Sequence, residues 1–115
     1  MENKAAIKLI DKILNDLDKT GVNTGVLVED IKTLRTYALE EQNPLVVKVL
    51  RLTYEHIEEN KSFFISIPHD EDEILDDEGD TPTESLKYLL LLLKNLDNKI
   101  NVSDLKEYRD LLIKY

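Results

Sequence analysis

The sequence contains no cysteine, and that one absence excludes disulfides, thiolate zinc sites, iron–sulfur ligation and a cysteine nucleophile together. Tryptophan is absent too, and glycine and proline occur three times each. The glycines, at 21, 25 and 79, form neither the phosphate-cradling G-x-x-x-x-G-K-[ST] loop nor the dinucleotide-binding G-x-G-x-x-G turn. Long apolar runs are also lacking. The longest, YLLLLL over 88–93, lies between Lys87 and Lys94 and is far short of the roughly 20 residues that cross a bilayer. The N-terminal MENKAAIKLIDKIL interleaves charge with apolar residues and has no unbroken apolar core of the kind a secretory signal needs. A cytoplasmic protein without membrane contact is the expectation.

What is present points to one soluble helical domain. At 115 residues, with 42% apolar and 34% charged residues, the chain can bury one core and is too apolar to stay disordered. Five segments show the 3.6-residue period of an amphipathic helix. The first, 3–19, carries Ala6, Ile10, Ile13, Leu14 and Leu17 on one side and stops at Gly21. The second, 24–42, carries Leu27, Ile31, Leu34 and Ala38, with Asn23 or Thr24 available as N-cap. It ends at Asn43-Pro44, where Pro44 suits the first position of a new helix and Asn43 its cap. The third, 44–60, and the fourth, 82–98, have apolar arcs wider than one stripe, which predicts a central place for both. The fifth, 102–114, returns to a single stripe of Val102, Leu105, Tyr108, Leu112 and Ile113. The fold expected is all-α: a compact bundle of about five helices, with one short extended segment (63–67) and an acidic mobile loop (68–80).

The extended segment is FFISI, with Phe63 and Phe64 leading it. A lone five-residue strand has no partner in this chain, so a lid packed on the bundle is expected, with edge pairing in a homodimer as the alternative.

The net charge of −9 is carried almost entirely by one stretch. Eight carboxylates and no Lys or Arg lie in 69–80, leaving the rest of the chain one unit negative. A calcium loop of EF-hand type needs oxygen ligands at positions 1, 3, 5, 7, 9 and 12 and glycine at 6. Counting from Asp70 puts Ile74 and Leu75 at positions 5 and 6; counting from Asp72 puts Ile74 and Asp77 at 3 and 6. Neither register works, and a block of like charges reads as solvated spacer. The stretch leads into Thr81-Pro82-Thr83-Glu84, a capping box with proline at the first helical position.

Few residues suggest a site. His56 falls among the apolar residues of the third helix, where a hydroxyl or carboxylate partner is expected for it. The sharper alternative is a proton-transfer or ligand histidine. Arg35 and Arg109 also sit inside apolar stripes, either covering them with their stems or lining a groove that takes an anion or a partner's carboxylate. Glu55-x-x-Glu58 is the only clear candidate for a Glu-x-x-Glu or Glu-x-x-His pair of the kind a helical metal enzyme uses, and both members lie on the polar arc. No motif calls for a cofactor or a resident metal, and no basic patch with interleaved aromatics suggests nucleic acid.

These readings lead to a small non-catalytic domain that contacts another protein. Its candidate contact or anion-binding residues are Arg35, Arg109, His56, Phe63 and Phe64. Two alternatives stand beside it. One is an acidic protein that neutralises a basic partner, in the manner of an immunity protein, an antitoxin or a nucleic-acid mimic. The other is a divalent-metal hydrolase using Glu55, Glu58 and His56.

Overall fold

The structure is a computed structural model that describes residues 1–68 and 81–115. Among the described residues there are five helices and no strand: α1 (Lys4–Thr20), α2 (Val26–Glu40), α3 (Pro44–Asn60), α4 (Pro82–Leu93) and α5 (Lys99–Lys114). The expected mobile loop, 68–80, lies outside the described residues except for Pro68, and the metal-loop question lies outside them altogether.

Local chemistry sets the helix boundaries. The Asn3 side chain accepts from the amides of Ala5 and Ala6 at 2.8 and 3.2 Å and opens α1. Gly21, at φ 69°, closes it by donating its amide to Leu17 O, a left-handed conformation that glycine adopts without steric cost. α2 begins later than the sequence suggests, at Val26. Its cap position is Gly25, with no side-chain cap, because Asn23 turns its oxygen to the Gly25 amide at 3.1 Å instead. At the other end Gln42 takes a left-handed φ of 55°, and the amides of Gln42 and Asn43 return to Leu39 O and Ala38 O. Asn43 then caps α3 by accepting from the Val46 amide at 3.2 Å, with Pro44 at the first position.

The last two helices differ from expectation. Thr81 accepts from the Glu84 amide at 3.1 Å and caps α4 as its sequence implies. However, α4 stops at Leu93 rather than 98, and α5 starts at Lys99 rather than 102. Asn98 sets the second of these, since its side chain accepts from the amides of Ile100 and Asn101 at 2.8 and 3.3 Å, while α4 closes with the amides of Lys94 and Asn95 returning to Leu91 O and Leu92 O. The Asn101 amide group in turn donates to Asn95 O at 2.9 Å and holds the turn closed.

The closest helix pairings run α1 to α2, α2 to α3, α3 to α5, α5 to α4 and α4 back to α1. This is a ring in which every helix has two neighbours, in place of two central and three outer helices. One apolar core fills it, from Ala6, Ile10 and Ile13 of α1 through Ile31, Leu34, Val49 and Leu50 to Leu86, Leu89, Leu90 and Leu105. Residues 63–68 form no regular element, and their burial alternates: Phe63 and Ile65 inside, Phe64 and Ser66 outside. The Ser85 hydroxyl donates to Ile65 O, and the Tyr108 hydroxyl donates to Ser85 O at 3.0 Å, which ties this segment to α4 and α5.

Candidate functional site

His56 is buried near the C-terminal end of α3, and its Nε2 accepts the backbone amide of Phe64 at 3.1 Å. The partner is thus a main-chain amide, where the sequence suggested a hydroxyl or carboxylate. An accepting Nε2 is unprotonated, so the ring is neutral with its proton on Nδ1. Three aromatic rings meet it edge-on: Phe63 at 5.6 Å, Phe64 at 6.2 Å and Tyr115 at 4.6 Å between centroids. Burial pushes the His56 pKa down, opposed by the nearby Glu59 carboxylate. This histidine anchors the 63–68 segment. Phe63 is a core residue, whereas Phe64 is 53% exposed and stacks on the exposed Tyr115 ring at 6.4 Å.

Arg35 leads to a different place. It lines an open groove of about 530 Å³ between α2 and α3, together with Leu39, Gln42, Asn43, Pro44, Val47, Lys48 and Arg51. Helical spacing puts Arg35 and Leu39 on one face of α2, and Pro44, Val47, Lys48 and Arg51 on one face of α3. The left-handed turn at Gln42 folds those two faces beside each other. The floor is aliphatic, with Leu39 50% exposed. No carboxylate lines it. Arg35 Nε is buried without a hydrogen-bond partner, and neither Arg35 nor Lys48 has an ion pair among the described residues. Arg51 meets Glu55 at 3.9 Å on the rim, both side chains exposed.

The structure does not bring the other candidates into this groove. Arg109 is half-buried on α5, and its Nε donates to Asp110 at 3.0 Å. Glu55 and Glu58 point outward, Glu58 lying 3.6 Å from Lys32 of α2. Among the described residues no three His, Cys, Asp or Glu side chains gather as metal ligands, and none of the helices there is long and apolar enough to cross a membrane. Sequence reasoning found Arg35 but missed Lys48 and Arg51, which read as ordinary members of a polar arc. Only the tight α2–α3 turn makes them neighbours of Arg35, and the signal for it was the Asn43-Pro44 cap.

Compared with protein-family models, with characterised proteins and with solved structures, the chain matches none.

Proposed function

We propose that this is a non-catalytic helical domain whose work is protein–protein contact, made through the α2–α3 groove. The observation that carries the reading is the half-exposed aliphatic floor at Leu39, rimmed by the cations Arg35, Lys48 and Arg51 with no carboxylate in the lining. An exposed apolar residue alone is ordinary on a protein surface; one set in a groove with convergent cations, of which Arg35 and Lys48 have no ion pair among the described residues, fits a binding surface. The hydrolase reading loses support, because His56 accepts a backbone amide while Glu55 and Glu58 face Arg51 and Lys32. The neutraliser reading depends on 69–80, and no described residue favours it.

The test places a photo-reactive benzoylphenylalanine at Leu39 in the native host, with Glu59, exposed near the far end of α3, as the control position. Discrete protein adducts at Leu39 that are absent at Glu59 are expected. Identical products at both positions, or none at Leu39, would overturn the reading.

A further inference from the structure

We infer that the groove receives an acidic segment of a partner protein, one that lays an aliphatic side chain on Leu39 and Val47 and carboxylates against Arg35, Lys48 and Arg51. This rests on the contact reading above and adds the chemistry of the partner. Charge complementarity is the main argument. The protein is acidic overall, yet this groove is lined by three cations and no carboxylate. Lys48 and Arg51 stand one helical turn apart on α3, about 5 Å along its axis. They match carboxylates at the same spacing on a helical partner segment. The buried Nε of Arg35 has no hydrogen-bond partner, so its guanidinium has donors to offer a carboxylate in the groove. The groove also lies at the N-terminal end of α3, where the helix dipole favours anions.

A phosphate backbone fits less well. Nucleic acid would want cations continuing along a track and would gain nothing from an aliphatic floor.

The experiment titrates the full chain into a fluorescein-labelled peptide of repeating Glu-Leu-Asp, and into its uncharged Gln-Leu-Asn counterpart, by fluorescence anisotropy. The acidic peptide is expected to bind with Kd below about 100 µM. The uncharged peptide should bind at least about tenfold more weakly, and Lys48→Glu should weaken the acidic peptide by a similar factor. Lys48 is exposed and unpaired, so this variant folds; Arg35→Gln is the second variant, and its melting curve separates lost binding from lost structure. Equal binding of the two peptides, or binding unaffected by both variants, overturns the inference. So does tighter binding of a single-stranded oligonucleotide that Lys48→Glu abolishes. A Leu39 cross-link to a partner segment without carboxylates leaves the contact reading in place and overturns this one.

Discussion

A buried neutral histidine makes stability depend on pH in one direction. His56 Nε2 must stay unprotonated to accept the Phe64 amide, and burial lowers its pKa from the ordinary 6.5. The unfolded chain therefore takes up the proton at higher pH than the folded one. The stabilisation from His56 is complete above about pH 6.5 and is lost progressively as pH falls below that. An NMR titration of the His56 ring should give a midpoint below 6.5, with the denaturation midpoint of the protein falling as pH drops below about 6.5. A ring midpoint above 6.5 would contradict the assignment. Lys61 presents a different residue-scale effect, since it ends α3 at φ 61° and ψ 14°. A left-handed conformation costs a side chain with a Cβ about 1 kcal/mol or more, so Lys61→Gly should stabilise the fold by roughly 0.5–1 kcal/mol in denaturant melts. At this scale the misfit of His56 with its helix's polar face was legible in sequence. Its partner was not, because the Phe64 amide reaches it only through the fold of the chain after Lys61.

Each helix depends on a small number of end groups, and Asn98 carries more than its neighbours suggest. It caps α5 through two amides, so Asn98→Ala should cost about 1 kcal/mol, similar to Thr81→Ala at the start of α4. If Asn98→Ala were neutral while Thr81→Ala was not, α5 would begin at 102, where its apolar stripe begins. The capping box at Thr81 and the Asn43-Pro44 break were legible because the cap residue directly precedes proline and a periodic segment. The α4–α5 turn was not. Leu96 extends the apolar run past the true end of α4, and Lys99 and Ile100 open α5 as exposed residues that hide the cap before them. The start of α2 was misread for a related reason: Asn23 is a good capping residue, but its oxygen closes a turn onto Gly25.

For the molecule as a whole, the ring of helices determines which substitutions matter. Leu50 is fully buried, and Leu50→Ala should cost about 2–5 kcal/mol through the cavity it leaves. Glu58→Ala should stay within about 0.5 kcal/mol, since its ion pair with Lys32 is exposed on both sides. Comparable losses in the two variants, measured by denaturant unfolding, would mean that α3 is rotated about its axis. Helix number and composition of the core were legible because five periodic segments had to bury their stripes together. The closure of the ring was not, because periodicity tells which face is buried and not against which neighbour. The same holds for the groove, whose cations come from two helices and meet only after folding. Its function is most directly tested by a backbone-amide NMR titration with the Glu-Leu-Asp peptide. Shifts concentrated at Arg35, Leu39, Gln42, Val47, Lys48 and Arg51 are expected. Shifts centred instead on Phe64 and Tyr115, or spread evenly over the surface, would contradict it.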